Sequence, residues 1–546
     1  MPASTRAARG SRAWWTVAAV GVAVVAVVPV AAVLGGVLEP DGEVWRQQWQ
    51  TRLPGQIRSS LLLVTGVAIG TISLGVGLAW LVGAHDFPGR RAFSWALVLP
   101  LAVPAYILGF VVTSVLGVAG PVQGWWRDSF GRDAWFPEVR SLPVAIATFS
   151  LTLYPYVYLL ARAALRDQAG ESLWVARCLG AGRAEAFRRV VLPMLRPAIA
   201  AGAAIVVMET LTDFATVQYF GVDTITVGVF RIWRGTYDRD AAAQIASLVL
   251  LFAVVVIALE RISRGRARFA EAGIGSAGFA RQRLRGARAA AATAAAGSVV
   301  LVAFVAPCAR LVTWAIEEQR SDRGTPLLDR YLEFLRNSLV LTLVTVGLCV
   351  VLAVLVTNAR RFAPGRLVDG ARRTATVGYA VPGPVVAMGV VIALVALDQA
   401  LGAVGRGLPG TVATGSFLAL AYAYGVRFLA PAVTSAEAGL DGVPDDLTAS
   451  ARSLGARPWW VVGRVHLPLS RASLLAAAIL VGVDALKELP IALLLRPIGF
   501  DTLSIWVYNL ASESRFQQAA LPALTIVAAA LVPVAVLCRG LDRRAS

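Results

Sequence analysis

Charge is what this sequence has little of. Only 15% of its 546 residues are Asp, Glu, Lys or Arg, against about 25% in an average soluble domain. A water-exposed surface of ordinary size cannot be covered from that supply, whereas a surface facing lipid needs no such cover. Lysine is scarcer still, because Lys487 stands alone and follows Leu486. A phosphate-cradling P-loop requires Gly-Lys-Ser/Thr, so ATP hydrolysis is not expected in this chain. The cysteines (Cys178, Cys308, Cys349, Cys538) are scattered without a CxxC pair. They imply neither a disulfide framework nor a zinc site, and three lie in or beside apolar runs, where they serve as small buried hydrophobes. His85 and His466 cannot pair by spacing. No metal site is expected, and a polytopic membrane enzyme finds no catalytic constellation here.

What is present is apolar. The composition is 57% hydrophobic, and a spanning helix needs about 20 such residues in a row. That rule places six spans near 13–37, 58–83, 93–118, 143–165, 196–219 and 243–261. Six more fall near 290–316, 336–358, 374–397, 411–436, 470–495 and 517–538. The first run follows Arg6, Arg9 and Arg12 and exceeds the roughly 7–15 residues of a signal-peptide core, so it reads as an uncleaved first span. The formal net charge of +18 does not point to nucleic acid, because the arginines cluster between apolar runs. They sit after even-numbered spans: Arg90 and Arg91, Arg166 to Arg189, Arg360 to Arg373, a linker from Arg261 to Arg288, and a tail with Arg539, Arg543 and Arg544. The alternate segments are mixed or acidic, as at Glu39, Asp41 and Glu43. Twelve spans with both termini in the cytoplasm satisfy this positive-inside alternation.

The two halves repeat. Arg58-Ser59-Ser60-Leu61 corresponds to Arg336-Asn337-Ser338-Leu339, and Val103-Pro104 to Val381-Pro382. Ala176-Arg177-Cys178-Leu179-Gly180-Ala181 corresponds to Ala451-Arg452-Ser453-Leu454-Gly455-Ala456, Leu192-Pro193 to Leu467-Pro468, and Asp223-Thr224 to Asp501-Thr502. Their common order and near-constant offset predict an all-α membrane protein of twelve transmembrane helices, built as two parallel six-helix repeats. We place the repeats at 1–265 and 289–546, with an arginine-rich cytoplasmic linker at 266–288. Two such units can enclose a path along a pseudo-two-fold axis.

Between the fourth and fifth spans of each half lies a polar cytoplasmic loop. In the first, Ala184, Phe187, Val190 and Val191 fall at helical spacing, Gly180 marks a bend, and Pro193 is expected to stop the short helix before the next span. The second repeats the plan with Asp446, Gly455, Pro458, Arg464, Val465 and Pro468. Two short helices with a bend suit docking to another protein; ordinary interfacial helices are the alternative.

Charges inside spans are costly and usually face the protein interior. Glu209 and Asp213 in the fifth span are four apart and are expected to share a helix face. Asp484 and Glu488, beside Lys487, occupy the same positions in the eleventh. They read either as a polar lining or gate for a cation's path, or as a packing network neutralised by Lys487; a proton relay is a third reading. Tyr154, Tyr156 and Tyr158 supply hard oxygen atoms but read as interface aromatics.

At this point the sequence resembles the membrane subunits of ATP-binding-cassette importers. Their EAA loop runs Glu-Ala-Ala, three residues, Gly, nine residues, Ile, one residue, Leu-Pro. Ala176, Gly180, Val190, Leu192 and Pro193 match that spacing, as do Ala451, Gly455, Val465, Leu467 and Pro468, while Trp174 and Ala449 replace the glutamate. The stretches 208–235 and 486–509 look like fused, twelve-helix ferric-iron permeases. Close relatives import thiamine, phosphonates, polyamines or sulfate. The resemblance implies a type I importer fold and two ATPase subunits, one inserted at each loop. It also implies an extracytoplasmic solute-binding protein that selects the cargo. ATP is then used by the partners, with no cofactor in this chain, in a bacterial inner membrane. A twelve-helix secondary transporter is the rival, and it gives no reason for two matched loops.

Overall fold

Inside a bilayer every backbone N–H and C=O must be satisfied within the chain, which leaves helices as the form an apolar run of this kind can take. The computed structural model of the chain describes residues 3–38, 42–178, 182–236, 239–264, 281–321, 325–403 and 415–543. Among them, eleven helices are long and apolar enough to cross a membrane: Arg12–Gly35, Leu53–Ala84, Ala105–Phe130, Leu142–Leu165, Phe187–Thr212, Gly286–Arg320, Leu328–Phe362, Gly383–Ala400, Phe417–Asp441, Pro458–Lys487 and Phe516–Ala535. The sixth place in this order is taken by the helix Arg239–Arg264, with a shorter apolar stretch at Gln244–Val255. The twelve expected spans are therefore all represented by helices, although the third, expected at 93–118, is split into Arg90–Ala96 and Ala105–Leu116 around Pro104.

Several helices differ from their expected limits. The fourth span continues without a break as Leu142–Cys178, carrying the chain into the first loop. The fifth and eleventh stop at Thr212 and Lys487, short of the expected 219 and 495. Pro193 does not stop a helix. The turn Phe187–Val191 widens to π geometry, with the Leu192 N–H bonding Phe187 O five residues back, and the helix runs on to Thr212. The same device precedes Pro307 (Ala306 N–H to Leu301 O) and Pro468 (Leu467 N–H to Val462 O). A proline lacks the N–H for the carbonyl four residues back and pushes against it. One wide turn moves that carbonyl aside, so the helix bends instead of ending.

Packing divides the chain into two units that cut across the sequence halves. One comprises Met1–Trp45, Val229–Leu250 and Thr325–Trp506. Here Trp15, Ala19 and Ala23 of the N-terminal helix form a buried cluster with Ala359, Phe362, Val368, Ala371, Val461 and Val462. The crossing with the helix Gly383–Ala403 is tight enough that a Cβ at Gly389 would lie 2.0 Å from Pro29 O. Small residues permit such approaches between spans. The other unit comprises Arg46–Gly228, Leu251–Gly324 and Val507–Ser546. In it the helix Leu53–Ala84 packs on Leu142–Cys178 and Leu192–Thr212, and Ala306–Arg320 packs on Phe516–Arg543. Each unit thus contains the first helix of the opposite sequence half.

Tyr154 and Tyr158 are core residues, not interface aromatics. Both are buried, and their hydroxyls donate to Leu97 O (2.8 Å) and Ser94 O (3.1 Å). Four apart on one helix face, they tie the fourth span to the segment after the second.

Candidate functional site

The second polar loop is described in full. Its first helix, Asp445–Ser453, ends in a left-handed glycine. The Gly455 N–H bonds Arg452 O and the Ala456 N–H bonds Ala451 O, with φ of +83° at Gly455. This pair of bonds is a Schellman cap, whose left-handed position favours glycine. The bend inferred from Gly455 is thus a specific backbone state, not merely irregular chain. Pro458 opens the second short helix at its first position, where its missing N–H costs nothing.

The motif residues mostly face inward. Ala451, Val465 and Leu467 pack against the buried cluster around Trp15, Phe362 and Val461. Trp459 meets Trp14 and Trp15 with ring centroids 4.8 and 4.7 Å apart. Leu447, Leu454, Trp459 and Trp460 are exposed apolar side chains, so the loop is anchored through Ala451, Val465 and Leu467 and presents these others. In the first loop Gly180 lies outside the described residues. Ala176 is in the helix Leu142–Cys178, and Val190, Leu192 and Pro193 are half-buried around the widened turn, beside Phe187, which packs on Trp80 at 4.7 Å.

Sequence reading missed the polar clamp beneath the second loop. Arg361 donates to the carbonyls of Leu440 (2.7 Å) and Val443, to Thr448 Oγ1 (3.2 Å), and lies 3.4 Å from Asp445. His466, buried, joins Thr448 Oγ1 (2.9 Å) to Asn358 Oδ1 (2.5 Å) and stacks on Phe362. The eighth span, the first loop helix and the start of the eleventh span are thereby fixed together. The one available signal was the polar pair Thr357-Asn358 at the end of an apolar run. Arg427 was also missed. It is buried within the tenth span and donates to the carbonyls of Tyr379 and Val381, just before Pro382. The cost of a charge in a span singles it out from sequence as readily as the carboxylates.

The carboxylate expectation needs correction. Glu209 and Asp213 do not share a helix face, because the helix ends at Thr212 and Asp213 is extended. Asp213 Oδ1 accepts from the Thr216 N–H (2.8 Å) and Oδ2 from its hydroxyl (2.5 Å), capping the short helix Ala215–Tyr219. Glu488 does the same for Pro490–Leu495, its Oε1 accepting from the Ile491 N–H at 3.1 Å. Each fifth span of a repeat therefore breaks at a carboxylate that starts a second helix. Before each break, Glu209 is half-buried, and Asp484 pairs with Lys487 at 2.8 Å. If Glu488 acts as a cap, Glu488→Ala lowers the thermal stability of the purified chain by about 1 kcal/mol, the usual worth of such a cap. Glu488→Gln keeps an acceptor oxygen and stays near wild type. Equal losses for both substitutions would instead assign the role to the charge.

The repeated sequence signatures meet in space. Ser60 Oγ accepts from the Ile225 N–H at 3.0 Å, and Ser338 Oγ accepts from the Leu503 N–H at 2.8 Å. Both bonds span 165 residues. Thr224 bonds Thr226 and Thr502 bonds Ser504, at 3.0 and 2.9 Å. The Arg-Ser/Asn-Ser-Leu and Asp-Thr motifs are thus one structural joint, made twice.

The family model for the "Binding-protein-dependent transport system inner membrane component" matches this chain twice, at residues 75–268 and 349–546. The chain belongs to that family. It is the permease of an ABC importer, a multi-pass membrane protein and a transport subunit. Among its relatives, the Fe(3+)-transport system permease protein FbpB 2 of Haemophilus influenzae is 25% identical over 503 residues, 90% of each chain. The sulfate transport system permease protein CysT of Escherichia coli is 27% identical over 222 residues, covering 39% of this chain and 78% of that one. The molybdenum transport system permease protein ModB of Escherichia coli is 27% identical over 230 residues, 40% of this chain and 96% of its own. The permease therefore carries its family's domain in duplicate, as the internal repeat requires.

Proposed function

We propose that this permease moves ferric iron into the cytoplasm by ATP-driven alternating access. The observation that carries the cargo is the match to a ferric permease along 90% of both chains, whereas the sulfate and molybdenum permeases match about one repeat. ATP hydrolysis resides on two separate ATPase subunits, one docked at each loop, around Gly180 and around Gly455. An extracytoplasmic binding protein selects the cargo. Both termini and both loops face the cytoplasm of a bacterial cell, consistent with the arginine pattern.

In this mechanism, closure of the two ATPase subunits pulls on the loops. The anchored face of Ala451, Val465 and Leu467 passes that movement into the helices. Val190, Leu192 and Pro193 do the same in the first loop. The half-covered Glu209, and Asp484 with Lys487, face the path, while Asp213 and Glu488 fix where the path helices break. Thiamine, phosphonate, polyamine and sulfate are the rival cargoes. Iron uptake into vesicles, with each rival added in excess, tests the assignment. Uptake of labelled iron indifferent to all four supports it. Uptake of one rival with iron ignored leaves an importer of another solute.

A further inference from the structure

The unit built from residues 46–228, 251–324 and 507–546 holds a cavity of about 870 Å³. Its lining segment 136–140 leads into the helix Leu142–Cys178, whose other end carries the first coupling loop. If that loop is cytoplasmic, the cavity opens on the extracytoplasmic side, where cargo arrives.

Three features set this cavity apart from a packing gap. Its wall is rich in groups that bind oxygen-bearing ligands, among them Thr113, Gln123, Tyr219 and Gln517. Two arginines, Arg140 and Arg310, line it against one carboxylate, Glu138. The Arg310 guanidinium lies over Trp314, its carbon 4.6 Å from the ring centroid. Its Nη1 donates to Thr313 Oγ1 (3.3 Å) and sits 3.6 Å from Glu317, while its Nε is buried and makes no hydrogen bond among the described residues. A buried donor left unmade is costly, and stacking on an aromatic holds the planar fork in place. Finally, Ser514 on the rim has φ of +59°, the one non-glycine residue with positive φ among those described. It takes the left-handed place of a helix cap, with the Arg515 N–H on Leu510 O and the Ser514 N–H on Ala511 O, where glycine is the usual occupant. Backbone strain of this kind gathers at ligand sites.

We propose that this cavity is a receiving site for an oxyanion, with Arg310 as its fixed donor and the exposed Arg140 as a second. Guanidinium groups bind carboxylate, phosphate and similar oxyanions through paired N–H donors. The oxyanion is either free or is the ligand shell of a metal complex. The volume suits the bulkier of these, since cavities of roughly 300–1,000 Å³ enclose ligands of many atoms. The cargo thus arrives as a ferric chelate bearing carboxylates. That last step rests on iron being the cargo; the oxyanion site itself does not.

Binding of ferric citrate, labelled on both iron and citrate, is measured to the full chain in lipid nanodiscs, beside labelled sulfate and molybdate. The wild-type chain is expected to bind both labels of ferric citrate together. Arg310→Gln is expected to weaken binding about tenfold or more, the worth of one charge-assisted hydrogen bond. Arg310→Lys, which keeps the charge but not the fork, falls between. Arg140→Gln, in an exposed loop position, weakens binding by a smaller factor and guards against misfolding of the Arg310 variants. Binding of sulfate or molybdate alone, lost in Arg310→Gln, keeps the site and removes iron as cargo. No binding of any oxyanion, or equal binding by wild type and both glutamine variants, overturns the proposal. So does an Arg310→Gln chain that binds all probes normally and loses only its affinity for the binding protein.

Discussion

Arg361→Ala is expected to abolish ATP-driven uptake while the chain still inserts and purifies normally. The guanidinium holds the carbonyls of Leu440 and Val443 and the Thr448 hydroxyl. These groups end the tenth span and begin the loop helix. Its ion pair with Asp445 adds little, because Asp445 is 92% exposed and such pairs are worth at most about 1 kcal/mol. The carbonyl bonds matter more, since they are charge-assisted and partly buried; losing them costs about 2–4 kcal/mol. That cost falls on the attachment of the loop, not on the spans. Hydrogen exchange is expected to rise across 444–456 with the spanning helices unchanged. Arg361→Lys recovers one contact and only part of the uptake. A loop protected as in the wild type, with full uptake, would show that the clamp is not what transmits force.

Substitution of Gly455 is expected to grade by backbone conformation, not by size. A Cβ added there meets nothing within 4 Å in this chain, so steric exclusion within the chain plays no part. The left-handed state costs an ordinary L-residue roughly 1–2 kcal/mol, more when β-branched, and costs asparagine less. Uptake should therefore fall in the order Gly455, Asn, Ala, Val, with Val lowest by tenfold or more at equal amounts of protein in the membrane. The ATPase activity of the partner subunits, measured alongside, is expected to lose its response to the binding protein in the same order. Gly180 occupies the same place in the first repeat, so Gly180→Val is expected to match Gly455→Val. Equal uptake by the Asn and Val variants would remove backbone geometry as the reason for glycine.

Much of this was legible in the sequence because the bilayer imposes simple rules. Span length and the repeat offset each follow from one physical constraint, and each led to the helices found. The loop motif was legible because glycine and proline have few roles. Pro193 nonetheless misled: a proline stops a helix unless a wide turn absorbs it, and that choice depends on packing around Phe187 and Trp80. The pairing of Glu209 with Asp213 failed for a similar reason. Spacing of four implies one face only while the helix continues, and the break at Thr212 is set by the cap that Asp213 itself makes. Arg361 and the His466–Asn358 bond were hidden because the partners that Arg361 holds on the tenth span and loop, and Asn358 for His466, lie 79 to 108 residues away, beyond the reach of any local pattern. The first helix of each half joining the opposite unit was equally invisible, since a run of alanine and valine does not specify which apolar neighbour it covers.

The most direct measurement is iron uptake into sealed vesicles containing the permease and its ATPase, with the binding protein and ATP supplied together and then each omitted. Uptake that needs both, and that collapses in Gly455→Val and Arg361→Ala, is the expected result. Uptake that proceeds without ATP, driven by an ion gradient and untouched by either substitution, would contradict it.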